Sequence, residues 1–250
     1  MAEKYILRIY RGVPGKQYWE EFELELRSGE NVISGLMEIR KNPVNRKGER
    51  VEPVVWEDGC LEEVCGSCSM LVNGYPRQAC TALIANYIRD TGKNLIILAP
   101  FTKFPLVRDL IVDRIVMFEN LKKVQGWIED EGKGFGPLVT QKKQQLMYVL
   151  STCMTCGCCS ESCPQVNKHS KFIGPAPAAQ VRLFNTHPTG KKDRRHRLRP
   201  LMVDGGISDC GNAQNCVEVC PKNLPLTESI SAIGRDVTLQ AFRDILGKDD

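Results

Sequence analysis

Polar and apolar positions alternate with a period of two near the start of the chain. In EFELELR, residues 21–27, Phe22, Leu24 and Leu26 alternate with Glu21, Glu23 and Glu25, the spacing of a strand with one buried face. YILRIYR, residues 5–11, also has strand composition, and the two segments are expected to pair as a hairpin. After Ser28, Gly29 and Asn31 the period changes. Val32, Ile33, Leu36 and Met37 share a helical face, and Arg40 and Lys41 close the segment with the charge that a helix C-terminus favours. Asn73 and Gly74 form a turn pair between two short segments, and LIILA at 95–99 supplies a further strand. Residues 1 to about 104 therefore read as a small mixed α+β domain.

From Pro105 onward strand signals fade. Val107, Leu110, Ile111, Ile115, Phe118 and Leu121 recur at three- and four-residue spacing, as do Leu226, Ile230, Ile233 and Val237, so residues 105–250 read as helical. Leu146, Val149 and Leu150 lead into a cysteine cluster. EGKGFG at 131–136 reads as a surface loop. Its G-x-G-x-G run is a poor match to a nucleotide fingerprint, which needs a strand before it and a helix after it.

Composition narrows the function classes. The 42% hydrophobic content of 250 residues supports ordinary cores, and no run approaches the roughly 18 apolar residues of a membrane helix. A soluble chain in a reducing compartment, the cytoplasm or a mitochondrial matrix, is expected. A formal charge of +4 is too small to suggest a nucleic-acid binder. Twelve cysteines without a secretory signal point to metal or redox use rather than disulfides.

Their spacing specifies the chemistry. Cys60, Cys65, Cys68 and Cys80 follow C-x4-C-x2-C-x11-C, the plant-type arrangement for a 2Fe-2S cluster. Gly59 and Gly66 let that loop wrap closely. A structural zinc site is the alternative, although zinc more usually takes two separated C-x2-C hooks. Cys153, Cys156, Cys159, Cys163 and Pro164 match the bacterial ferredoxin run, whose fourth cysteine serves the other cluster of a pair. The partner run holds Cys210, Cys216, Cys220 and Pro221, with Ala213 where a second cysteine belongs. Crossing the fourth ligands assigns Cys153, Cys156, Cys159 and Cys220 to a 4Fe-4S cluster. Cys163, Cys210 and Cys216 remain, and three thiolates leave one cubane corner open, which gives 3Fe-4S. No catalytic acid, base or nucleophile is needed.

Cys158 fits neither run and reads as a small buried hydrophobe. His169, His187 and His196 show no ligand spacing. KKDRRHRLRP at 191–200 concentrates six Lys and Arg residues and reads as a solvated face, with contact to anionic headgroups or an acidic partner as the sharper alternative.

The order of these motifs resembles the iron–sulfur subunit of succinate dehydrogenase and fumarate reductase over almost the whole chain. NVISGLMEIRKNPVN, CLEEVCGSCSMLVNG, KFIGPAPAAQVRLFNTHPTG and CGNAQNCVEVCPKNLPLTESI look especially like the menaquinone-linked enzymes of the Bacillus kind. The resemblance implies an N-terminal β-grasp ferredoxin domain and a C-terminal α-helical ferredoxin domain. It also implies a flavoprotein partner carrying FAD, a cytochrome b-type membrane anchor with haem b an open question, and a peripheral place on the cytoplasmic side of a bacterial membrane. Ubiquinone-using relatives resemble one another in a Ser and a Trp after the first C-P and a His after the first cysteine of the second run. Gln165, Lys168 and Gly211 stand there instead, so menaquinone is the implied acceptor. Succinate oxidation, fumarate reduction and service to another flavoprotein dehydrogenase share this wire. An iron–sulfur sensor binding nucleic acid is the alternative of another class.

Overall fold

The computed structural model describes residues 3–129 and 137–247; the glycine run at 131–136 lies outside them. The chain forms two compact units, Met1–Arg114 with Cys156–Glu161, and Ile115–Thr155 with Ser162–Asp250.

The first unit is built on the expected hairpin, β1 (Lys4–Val13) and β2 (Lys16–Glu25), paired antiparallel with Leu7 opposite Phe22. β3 (Ser69–Val72), β4 (Tyr75–Gln78) and β5 (Leu95–Ala99) complete a five-stranded sheet in the order β2-β1-β5-β3-β4, with β1 and β5 parallel. Asn73 and Gly74 take positive φ of 51° and 80°, the handedness that a two-residue hairpin turn requires. Helix α1 (Val32–Lys41) starts where the Asn31 side chain accepts from the Ser34 N–H at 2.9 Å. It buries Val32, Ile33, Leu36 and Ile39 against Tyr5, Leu7 and Phe22 of the sheet. Met37, expected on that face, is exposed; Ile39 lies on the buried side in its place. A second helix, α2 (Ile84–Thr91), ends on Gly92 at φ 65°.

Strand structure does not end at Pro105. β6 (Leu106–Arg108) and β7 (Ile111–Val112) form a small hairpin around Asp109. These strands are too short to show a period, and Val107 is exposed. Asp109 holds the hairpin in place. Its carboxylate accepts from the Gly12 N–H at 2.7 Å and the Val55 N–H at 2.9 Å, beside the buried guanidinium of Arg11.

The second unit is helical: α3 (Ile115–Lys123), α4 (Gln141–Ser151), α6 (Pro175–Thr186), α7 (Arg194–Leu198), α8 (Asn215–Glu218) and α9 (Leu226–Ile245), whereas α5 (Cys158–Ser162) belongs, but for Ser162, to the first unit. α6 begins with Pro175 after Gly174 at φ 94° and packs its small residues Ala178 and Ala179 in the interior. Val124, Ile173, Val181, Leu198, Leu201 and Ile233 form its core. In α4 the buried residues are Met147 and Leu150, whereas Val149 is exposed, a rotation from the face expected.

The basic segment is less solvated than its composition implies. Arg197 is buried and donates to the carbonyls of Gln125 at 3.0 Å, Trp127 at 2.8 Å and Gly190, while Arg194 pairs with Asp236 and Arg195 with Asp244. Among the described residues no helix is long and apolar enough to cross a membrane.

Candidate functional site

The first cysteine loop is a cradle of peptide N–H groups. Leu61, Glu63 and Gly66 adopt positive φ of 60°, 55° and 75°, turning the chain tightly around the Cys60 sulfur. That sulfur accepts from the N–H groups of Glu62, Val64 and Cys65 at 3.4, 3.2 and 3.3 Å, and Cys60 N–H donates to Cys65 Sγ at 3.4 Å. A Cβ on Gly59 would sit 3.2 Å from Cys65 Sγ, so bulk there presses on a candidate ligand. The β3–β4 hairpin returns Cys80 beside Cys68; both are buried. Backbone donation from Cys60 brings the Cys65 thiol down to about 6, with help from Ser67, while burial pushes Cys68 up to about 12. N–H groups aimed at sulfur suit thiolates bound to a cationic iron group, whose charge offsets the burial of Cys68.

The second run starts at Cys153, just after α4. Thr155 and Gly157 take positive φ of 53° and 90°, and Cys156, Cys158 and Cys159 are all buried. The segment Cys156–Glu161 belongs to the first unit, where the buried Glu161 carboxylate accepts from Thr102 N–H at 2.9 Å, Thr102 Oγ1 at 2.7 Å and Lys103 N–H at 3.1 Å. Cys158 is buried, as a small hydrophobe would be, and its contact with Cys156 lowers the Cys156 thiol to about 6 and raises its own.

Cys163, Cys210 and Cys216 come together in the second unit, lining one concavity with Ala213 and Gln165. Asn212 and Gln214 flank Ala213 at φ 52° and 63°, and Asn215 Nδ2 donates to the Ser162 carbonyl at 3.1 Å, tying the two runs. Burial first, then the neighbouring Cys163 and Cys210, push Cys216 up to about 11. A Cβ at Gly211 would meet Gln165 Nε2 at 2.6 Å, so two of the three positions that depart from the ubiquinone pattern are packed against each other. Cys220 is half-buried and accepts from Leu224 N–H at 3.4 Å. His187 Nδ1 accepts from the Gly190 N–H at 3.4 Å, and the His169 N–H donates to Asn167 Oδ1 at 2.9 Å.

Two polar residues at the loops carry no sequence signal of their own, Gln78 in β4 and Arg114 at the end of the first unit. Both are found only through contacts across long stretches of chain.

The 2Fe-2S iron-sulfur cluster binding domain family matches residues 6–119, and the 4Fe-4S dicluster domain family matches residues 149–224. The succinate dehydrogenase iron-sulfur subunit of Bacillus subtilis is 57% identical over 235 residues, which cover 93% of this chain and 91% of that one. The chain belongs to the family of succinate dehydrogenase and fumarate reductase iron–sulfur subunits. The fumarate reductase iron-sulfur subunit of Wolinella succinogenes is 27% identical over 245 residues, covering 94% of this chain and 98% of that one. A chain of the Mycobacterium smegmatis Sdh1 complex in the apo form shares the fold, with a TM-score of 0.81 at 20% identity, over 97% of this chain and 98% of that one. As an iron–sulfur subunit of this family, the chain is an electron-transfer component of an oxidoreductase complex, with a 2Fe-2S domain and a 4Fe-4S domain.

Proposed function

We propose that Cys60, Cys65, Cys68 and Cys80 hold a 2Fe-2S cluster, that Cys153, Cys156, Cys159 and Cys220 hold a 4Fe-4S cluster, and that Cys163, Cys210 and Cys216 hold a 3Fe-4S cluster. The observation that carries the reading is the convergence of the last three thiols on one concavity to which Ala213 contributes only a methyl group. The sheet with α1 supports a β-grasp domain over residues 1–104, and the helices support an α-helical ferredoxin domain over 105–250.

When bound, the clusters carry single electrons between the two-electron chemistries of a flavin and a quinone. The residues of this chain ligate, space and tune them. Cys60 and Cys65 gain backbone N–H donors that favour the thiolate form, and Cys68 and Cys80 are shielded from water. A flavoprotein carrying FAD and a cytochrome b-type membrane anchor, with or without haem b, complete the complex on the cytoplasmic side of the membrane. Menaquinone is the acceptor supported by the Gln165 and Gly211 pair. Identity of 57% to a succinate dehydrogenase subunit against 27% to a fumarate reductase subunit favours succinate oxidation.

Purification of the complex with its companion subunits tests this reading. Brown protein with about nine irons per chain, the sum of the three clusters, is expected, together with a three-iron resonance in the air-oxidised state. A colourless preparation containing zinc overturns it. Faster turnover of fumarate with menaquinol than of succinate with menaquinone would reverse the direction alone.

A further inference from the structure

Gln78 lies in β4, two residues before Cys80, and is fully buried. Its register partner across β3 is Ser69, which follows Cys68. The Ser69 hydroxyl donates to the Gly66 carbonyl at 2.6 Å and lies 3.2 Å from Gln78 Oε1. At the other end of the amide, Gln78 Nε2 donates to Cys158 Sγ at 3.4 Å. Cys158, with no exposed surface, stands between the candidate ligands Cys156 and Cys159 on their loop. Inside the first unit the Gln78 side chain thus bridges the hairpin that leads to Cys80 and the loop that bears Cys156 and Cys159.

An amide without accessible water is costly to bury unless its N–H groups find acceptors. Here the acceptor is the Cys158 sulfur, beside two candidate cluster ligands. An N–H dipole aimed toward a cluster stabilises its reduced form, which carries the extra negative charge, more than the oxidised one, and so raises its reduction potential.

We propose that Gln78 is a positioning residue for electron transfer: its amide hydrogen-bonds the Cys158 sulfur, ties the loop of Cys156 and Cys159 to the hairpin bearing Cys68 and Cys80, and so raises the 4Fe-4S potential. The inference rests on the assignment of Cys156 to the 4Fe-4S cluster. Cys158 thereby gains a role without becoming a ligand.

Redox titration of the assembled complex by electron paramagnetic resonance tests it, with Gln78→Met removing the amide at similar length and Cys158→Ala removing the sulfur that accepts from it. Gln78→Met is expected to weaken reduction of the 4Fe-4S centre about tenfold, the scale of one hydrogen bond, which is about 59 mV for one electron. Cys158→Ala is expected to shift it in the same direction by less. Iron content should stay at wild-type level in both, and the 2Fe-2S midpoint should move less than the 4Fe-4S midpoint. An unchanged 4Fe-4S midpoint at full iron content overturns the proposal. If Gln78→Met loses the centre, Cys158→Ala decides through the same midpoint, a downward shift supporting the proposal and no shift overturning it. Cys156→Ser separates the two layers: a 4Fe-4S signal identical to wild type there sinks the ligand assignment itself.

Discussion

The Arg114 guanidinium donates through Nη1 to the Gly66 carbonyl at 2.7 Å. Its Nη2 reaches the Ser67 carbonyl at 3.1 Å and the Glu57 carboxylate at 2.5 Å. A largely buried cation therefore grips the backbone between Cys65 and Cys68, and its forked geometry, which a lysine lacks, holds two carbonyls at once. Arg114→Ala should loosen this loop and remove a positive charge beside it, lowering the 2Fe-2S midpoint while the 4Fe-4S midpoint moves less. Arg114→Lys should recover part of the potential and little of the loop order. Potentiometric titration of both variants in the complex measures the split; equal midpoints in all three proteins would refute it.

Cys65→Ser or Cys68→Ser should remove or strongly perturb the 2Fe-2S centre while the other centres assemble, because no cysteine of the C-terminal runs lies on that loop. Separate spectra of the three centres check this. Loss of all three signals from a folded protein would contradict it.

Gly59→Ala should weaken the same centre without replacing a ligand. The added methyl would lie 3.2 Å from Cys65 Sγ, and a sulfur fixed by iron cannot retreat as a free thiol can. Reduced occupancy of the 2Fe-2S site, read as iron and labile sulfide per chain, is the expected outcome.

Ala213→Cys should convert the 3Fe-4S centre to 4Fe-4S, since a thiolate there completes C-x2-C-x2-C in the second run. The potential should fall with the added negative charge and the change of cluster type, and electron delivery to quinone should slow. The oxidised three-iron resonance should be present in the wild type and largely absent from the variant.

Asp109→Ala should cost about 3 kcal/mol, because it removes one of the two carboxylates beside the buried Arg11 guanidinium, leaving Glu20, and leaves two backbone donors without that acceptor. Asp109→Asn retains an acceptor and should cost less. A lower urea midpoint at unchanged slope would register the loss.

Much of this was legible in the sequence because the informative features are local. The alternation around Phe22, the Asn73–Gly74 turn and the spacing from Cys153 to Cys163 each lie within a dozen residues. What stayed hidden depends on contacts distant in sequence. Gln78 reaches Cys158, Arg114 reaches Gly66, and Asp109 closes on Gly12, and no periodicity encodes such pairs. The helical faces slipped for a different reason. Met37 and Val149 are apolar but lie at the edge of their stripes, where burial depends on what packs alongside. The basic segment misled because composition does not reveal that Arg197 turns inward to cap three carbonyls.

The clamp of Glu161 on Thr102 and Lys103 bears on how the chain matures during synthesis. The first unit is discontinuous, taking Cys156–Glu161 from beyond a long excursion. A nascent chain that has emerged only to Arg114 lacks the carboxylate that satisfies those two backbone amides and the sulfur that meets Gln78. At roughly 5–20 residues per second, the ribosome needs several more seconds to supply them. Until then the amino-terminal half is an unfinished body with open polar seams, a window in which chaperones or cluster-delivery factors can gain access to its cysteine loop. Truncation after the first unit's main segment would make that window permanent.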